Sequence, residues 1–336
     1  MPEGPEVRKY ADALDAVLTG QTITDVQART RAAKEWLREN GTRLVGRRFS
    51  RVFSHGKHLL GYIDGGFYFH SHLMMWGRWQ TFPGNAPPEV DRRERARLLV
   101  DGGGAILFSA PIFNVGEGDP YQQIENLSTL GPDVLPYPRT PRGRRVFDKA
   151  EFLRRLLLPE HLEITIGAAL LNQQILAGLG NYLRAEVLFG CRLNPWRRVG
   201  ELNEKELRCL SRLAPALSLS SYLSGATATE EERERMRREP PLVYQPGREM
   251  GTRHLVFRRT NLPCLRCGRP IKQLRQPTYN LEQSEHRVSS QQPKKTAARS
   301  GELARVAHSL PAAEVEQERT RIVYFCPKCQ HVGTPK

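Results

Sequence analysis

Apolar side chains between residues 6 and 18 recur at helical spacing: Val7, Tyr10, Ala11, Leu14, Val17 and Leu18 share one face, and Gly20 ends the run. This spacing predicts an amphipathic helix. Residues 44–53, 57–63, 67–73 and 95–109 are then dense in Val, Ile, Leu, Phe and Tyr. Turn signals at Asp64-Gly65-Gly66 and Asp101-Gly102-Gly103-Gly104 divide some of them into hairpins. A helix ahead of antiparallel strands predicts a β-sandwich with the helix packed on it. Near residue 131 the pattern breaks. Gly131-Pro132-Asp133 and then Pro136, Pro138 and Pro141 read as a linker. Helical spacing returns over 149–158, 164–176, 181–190 and 203–217, and the charged run 229–239 reads as a solvated helix or loop. The tail regains β character around two cysteine pairs. Between them, 275–318 is polar and rich in Gln, Ser, Glu, Lys and Arg, a composition that predicts disorder. No internal repeat is visible, and no run of 18 apolar residues predicts a membrane span.

The expected fold class is α+β. The expected division is a β-sandwich domain over 1–130, a linker over 131–148, a helical domain over 149–250 and a cysteine-bearing unit over 251–336. A length of 336 residues agrees with about two domains, and 39% hydrophobic residues can build real cores. The formal net charge of +15 points to an anionic partner, most simply nucleic acid, although heavy Arg usage also fits a merely soluble basic protein. Of six cysteines, Cys191 and Cys209 are isolated and read as small buried hydrophobes. The others form Cys264-x-x-Cys267 and Cys326-x-x-Cys329. Without a secretion-signal layout, such pairs point to metal rather than to disulfides. Four thiolates make a closed, tetrahedral and therefore structural Zn2+ site. The pairs are separated by 58 residues, more than such sites usually span, so the intervening segment must loop out. Arg319, Arg321 and Lys328 give this unit a basic tip suited to phosphates.

Candidate chemistry begins at Met1-Pro2-Glu3-Gly4-Pro5-Glu6. Methionine before proline is normally trimmed, which would expose the secondary amine of Pro2. Such an amine can attack the electrophilic carbon of an opened sugar and form an iminium ion. Glu3 and Glu6 stand ready for proton transfer; the plainer reading is an N-terminal helix cap with acids near its positive end. In Ser54-His55-Gly56-Lys57, the lysine could pair with a phosphate, raise the free-base fraction of the Pro2 amine, or simply face solvent. Gly178-Leu179-Gly180 separates two helical runs. The second would begin at Asn181 and present unsatisfied N–H groups to a DNA phosphate, unless the element is a plain helical hairpin. Met74, Met75 and Trp76 are consecutive, and a strand cannot bury three neighbours on one face. One or more should protrude as a wedge able to fill the hole left by an extruded base, unless the strand end is buried on both sides. His70 and His72 read as core or hydrogen-bonding residues before metal ligands.

Taken in order, these pieces resemble the formamidopyrimidine-DNA glycosylase and endonuclease VIII repair enzymes. MPEGPEV resembles that family's catalytic N-terminus, GKHLL its lysine strand, LLNQQILAGLGNYLRAEVLF its helix–two-turn–helix element, and PCLRCG with FCPKCQ its β-hairpin zinc finger. The resemblance implies a bifunctional DNA glycosylase/AP lyase acting in base-excision repair on damaged double-stranded DNA, as a monomer in the cytoplasm with the nucleoid. Pro2 would be the nucleophile on C1′, Glu3 the acid/base, and Glu6 an electrostatic support. Lys57, Asn181 and Arg321 would grip phosphates, while Met75 with Met74 and Trp76 would fill the vacated stack. The iminium would drive β,δ-elimination. NYLRAEVLF and MPEGPE are closer to endonuclease VIII, which removes oxidised pyrimidines. The formamidopyrimidine branch carries an Arg-Arg-Phe-Gly loop where this chain has Ala110-Pro111-Ile112-Phe113-Asn114. The long 218–250 stretch favours the oxidised-purine branch instead, and the insertion at about 273–318 is unlike the family. The rival readings are an oxidised-purine glycosylase and a non-catalytic damage-binding paralogue. A zinc-dependent hydrolase is disfavoured because four thiolates leave no open metal position.

Overall fold

The computed structural model describes residues 2–84, 89–136, 146–238, 250–278 and 320–332. Helix α1 (Gly4–Leu18) buries Val7, Ala11, Leu14 and Leu18, as the spacing predicts. It starts two residues earlier than expected because the Glu6 carboxylate accepts the Glu3 N–H at 2.9 Å and caps the first turn. Strands β1 (Ile23–Ala28), β2 (Phe49–His55), β3 (His58–Ile63), β4 (Phe67–His72), β5 (Arg78–Pro83), β6 (Glu94–Val100), β7 (Gly103–Phe108) and β8 (Ile112–Glu117) follow, with α2 (Arg31–Asn40) between β1 and β2. They form two antiparallel four-stranded sheets, β1-β6-β7-β5 and β2-β3-β4-β8. One core holds Leu14 and Leu18 of α1 with Phe49, Val52, Phe69, Trp79, Leu98, Leu107 and Phe113 from both sheets. Sequence patterning missed β1, β5, β8 and α2. Helix α2 buries only Ala33 fully, and β8 turns Ile112 outward, so neither shows a strong apolar period.

A short α3 (Pro120–Gln123) leads to residues 131–135, which are pinned rather than free. Gly131 N donates to Gln173 O, Val134 N to Ala177 O, and Ala177 N to Pro132 O, while Val134 and Leu135 are buried. The start of the expected linker is thus packed against the second domain; residues 137–145 lie outside the described residues. Helix α4 (Lys149–Leu156) is where the pattern put it. The helix expected over 164–176 is not continuous: α5 covers only Ile166–Ala169. Polar side chains outcompete the helix ladder here. Asn172 Oδ1 accepts Gln174 N at 2.9 Å, and Gln173 Oε1 accepts Gly178 N at 3.0 Å. The Gln173 amide nitrogen donates to Leu171 O at 2.8 Å and Leu179 O at 2.9 Å. Helix α6 (Asn181–Gly190) follows, then α7 (Glu204–Ser224), which runs on past Pro215 and stops at left-handed Gly225, and α8 (Glu230–Arg238).

Cys191 and Cys209 are not the isolated buried hydrophobes expected. They are half-buried and disulfide-bonded, with Cα atoms 5.7 Å apart, because α6 and α7 bring two sequence-distant positions together. At the C-terminus, β9 (Lys272–Pro277) pairs antiparallel with β10 (Thr320–Phe325). The polar insertion expected from about 273 therefore begins inside a strand, and residues 279–319 lie outside the described residues, as do 239–249. Among the described residues, no helix is long and apolar enough to cross a membrane.

The domains meet at glycines. Gly4 N donates to Gly178 O at 2.8 Å. Gly56 has φ +57°, and a Cβ there would lie 2.8 Å from both Gly178 N and the Ala177 Cβ. Gly56→Ala should therefore lower the urea midpoint, with a loss of ~2 kcal/mol from a strained backbone and a closed contact.

Candidate active site

Glu3 is 2% exposed and leaves its own helix to cap another. Its Oε2 accepts the N–H groups of Gly180 at 2.8 Å and Leu183 at 3.2 Å, and its Oε1 accepts Tyr182 N at 2.8 Å. A Cβ on Gly180 would fall 2.4 Å from the Glu3 carboxyl carbon, so only glycine admits this approach. The anion site expected at the start of α6 exists, and the Gly180, Tyr182 and Leu183 N–H groups in it are taken by the Glu3 carboxylate. Burial raises the Glu3 pKa from 4.5 to about 7, against the lowering pull of Lys57 and the α6 amides. Glu6 lies beneath it. Its carboxylate accepts the Tyr182 hydroxyl at 3.1 Å as well as the Glu3 N–H, and burial raises its pKa too. Tyr182 Oη is 2.9 Å from Ser221 Oγ on α7, and its ring stacks on His254 at 4.7 Å between centroids. Pro2, half-buried, is one peptide away from Glu3.

Lys57 sits in the turn between β2 and β3, a turn anchored on Gly178 by the close packing of Gly56. Burial lowers its pKa, the Glu3 charge opposes that shift, and the Arg321 charge adds to it. Lys57, Glu3 and Arg321 therefore share one electrostatic neighbourhood, although they come from the β2–β3 turn, the start of α1 and β10. Asn181 opens α6 beside them, and its Oδ1 accepts Arg184 Nη2 at 2.6 Å. Arg321 is exposed on the finger hairpin.

The register of β3 with β4 pairs His58 with His72, which puts the loop after β4 at the same end of the sheet as Lys57. Met74, Met75 and Trp76 all protrude there, 44%, 56% and 78% exposed. Met74 adopts φ 51°, and the loop is closed by Gly77 N donating to Leu73 O at 2.8 Å. Beneath it, His58 Nδ1 is 3.0 Å from His70 Nε2, Asn114 Nδ2 is 3.3 Å from His70 Nδ1, and Met74 N donates to His72 Nδ1. Burial pushes all three imidazoles down, to about 2, 3 and 4 for His58, His70 and His72. They are neutral, hydrogen-bonded supports of the loop that carries Met74, Met75 and Trp76.

Cys264, Cys267, Cys326 and Cys329 present sulfurs within 4.8 Å of one another, the one such metal-ready group among the described residues. Pairing of β9 with β10 is what closes the long sequence gap between them. Sequence reasoning overlooked Tyr182, Arg184 and Glu186. All three are buried in α6; Glu186 accepts N–H groups of Leu255, Val256 and Phe257 and so ties that segment to the helix. The signal was available: charges inside an apolar run, which on a buried helix must find internal partners.

Comparison with known proteins agrees with this geometry. Residues 1–111 match the formamidopyrimidine-DNA glycosylase N-terminal domain, and residues 145–228 match the H2TH domain of the same enzymes. Endonuclease 8 of Pectobacterium atrosepticum is 32% identical over 272 residues, which cover 81% of this chain and 94% of the relative. Endonuclease 8 of Salmonella typhi is 31% identical over 268 residues, 80% of this chain and 92% of that one. Among solved structures, MutM (Fpg) of Thermus thermophilus superposes with a TM-score of 0.64 at 26% identity, covering 99% of this chain and 100% of the other. Lactococcus lactis Fpg, bound to DNA containing N7-benzyl-Fapy-dG, has the same fold with a TM-score of 0.64 at 20% identity, over 98% of this chain and 99% of that one. The chain belongs to the formamidopyrimidine-DNA glycosylase/endonuclease 8 family of bifunctional base-excision DNA glycosylase/AP lyases.

Proposed function

We propose that this enzyme excises oxidised pyrimidines from damaged duplex DNA and nicks the strand through an iminium on Pro2. The observation that carries the reading is the Glu3 carboxyl, buried beside the Pro2 amine with a pKa near 7 and held by the α6 amides. A carboxyl in that state can both give and take a proton at neutral pH. Lys57, Asn181 and Arg321 hold phosphates of the strand around the extruded nucleotide, and the exposed Met74, Met75 and Trp76 occupy the space it leaves. The Pro2 nitrogen attacks C1′, the bond from C1′ to the base breaks with its electron pair going to the base, and the Pro2 N–H proton passes to the departing base. Protonated Glu3 delivers its proton to the ring oxygen as the sugar opens. The resulting iminium makes the C2′ proton acidic. Loss of that proton expels the 3′ phosphate, and a second elimination expels the 5′ phosphate, leaving a gap.

Support for the pyrimidine branch comes from the absence of arginine over 110–114, where β8 instead presents Ile112 and Asn114, and from the endonuclease 8 relatives. The four-cysteine cluster fits zinc. Tetrahedral Zn–S bonds place sulfurs about 3.8 Å apart, and Cys264–Cys329 and Cys267–Cys326 stand at 3.9 and 3.5 Å. Zinc bound there would fix the finger and the position of Arg321. The enzyme would work as a monomer alongside the genomic DNA in the cytoplasm.

Borohydride should trap a covalent complex on duplexes carrying an oxidised pyrimidine, and more weakly on an oxidised purine. Peptide mass spectrometry should find the adduct on Pro2; an adduct on Lys57, the amine in the same electrostatic neighbourhood, would overturn the nucleophile. Glu3→Gln should slow base excision by about 10²–10⁴-fold, and the wild-type rate should fall as pH rises through 7. Because the folded pKa lies above the ordinary carboxyl value of 4.5, this carboxyl favours the native state below that value and loses that contribution as pH climbs through about 7. Melting of Glu3→Gln should accordingly gain on wild type between pH 5 and 8. Chelation should remove one zinc per chain and abolish tight DNA binding while leaving the melting of the sandwich domain in place.

A further inference from the structure

Arg184 is fully buried in α6, yet its guanidinium serves parts of the chain far apart in sequence. Nη2 donates to Asn181 Oδ1 at 2.6 Å and to Ile322 O at 2.7 Å; Nη1 donates to Gly167 O and to Gln276 Oε1, each at 3.3 Å. Gln276 lies on β9, and Ile322 is the neighbour of Arg321 on β10. Gln276 is itself buried and reaches Thr165 Oγ1 and Pro195 O, so the hairpin is seated on the helical domain around this one cation.

We propose that Arg184 is a positioning residue that sets the phosphate grip from behind: it orients the Asn181 amide and locks the Arg321 strand of the finger to α6. The inference rests on the reading that Asn181 and Arg321 hold phosphates. By binding Oδ1, Arg184 removes the choice of amide orientation and turns the Asn181 NH2 away from itself, as a phosphate donor must be turned. A buried guanidinium is an expensive way to stabilise a fold, since apolar side chains of similar size often serve as well. Here its Nε has no hydrogen-bond partner among the described residues, so the arrangement is not optimised for stability. What the planar fork supplies, and the single nitrogen of a lysine does not, is donors on two separated nitrogens at once: Nη2 serves Asn181 and Ile322 while Nη1 serves Gly167 and Gln276.

The test is a double-mutant cycle in the full-length, zinc-loaded enzyme, with a duplex carrying a tetrahydrofuran abasic analogue as the probe. Asn181→Ala and Arg184→Lys should each weaken binding about tenfold to a hundredfold, the range for hydrogen bonds to charged groups. The double variant should bind no more weakly than the worse single one, and KM on lesion duplex should rise more than kcat falls. Wild-type binding by Arg184→Lys with a full loss in Asn181→Ala would sink this proposal alone, and so would losses that multiply. Wild-type binding by Asn181→Ala would remove the phosphate reading and the proposal with it. Should Arg184→Lys fail to fold, hydrogen exchange of arginine side chains decides. The assigned Arg184 guanidinium should exchange slowly in wild type and faster in Asn181→Ala; unchanged exchange would refute the coupling.

Discussion

The Glu3 carboxylate joins the two halves of this enzyme. Glu3 belongs to the first turn of the sandwich domain's helix, and its oxygens are bound by the first N–H groups of α6 in the helical domain. The start of a helix carries unpaired donors and partial positive charge, so an anion there is stabilised by geometry that already exists. Burial between the two domains removes Glu3 from water and lifts its pKa toward neutrality, against the lowering pull of those N–H groups. Domain docking and acid–base readiness are therefore one interaction. Glycines at 4, 56, 178 and 180 let the backbones come close enough to make it. A second tie, Tyr222 Oη donating to Asp12 Oδ2 at 2.5 Å, joins α7 to the middle of α1.

Burial organises the remaining chemistry. Lys57 is pushed toward its neutral form and Glu3 toward its protonated form by the same loss of solvent, while each opposes the other's shift. The imidazoles under the wedge loop are held neutral, so at physiological pH they provide hydrogen bonds without competing for the phosphates that the cations would hold. Buried Arg184 connects the finger to this centre and gives the cysteine cluster a mechanical route to the active site that involves no metal chemistry.

The chain's linear pattern already carried the helix over residues 6–18, two residues short of its true start, the hairpins after it, the starts of α4 and α6, and the protrusion of Met74, Met75 and Trp76. Each follows from local spacing, or from the rule that a strand has only two faces. The two Cys-x-x-Cys pairs and their joint use were legible for the same reason: thiol spacing is a local property. Only the folded chain reveals where Glu3 sends its carboxylate, because its partners are some 180 positions away and their N–H groups carry no side-chain signature. Likewise, Cys191 meets Cys209, the supposed helix at 164–176 breaks on Asn172 and Gln173, and Arg184 turns inward. These outcomes depend on how separate elements compete for the same hydrogen bonds and the same dry space, and no window of neighbouring residues contains that competition.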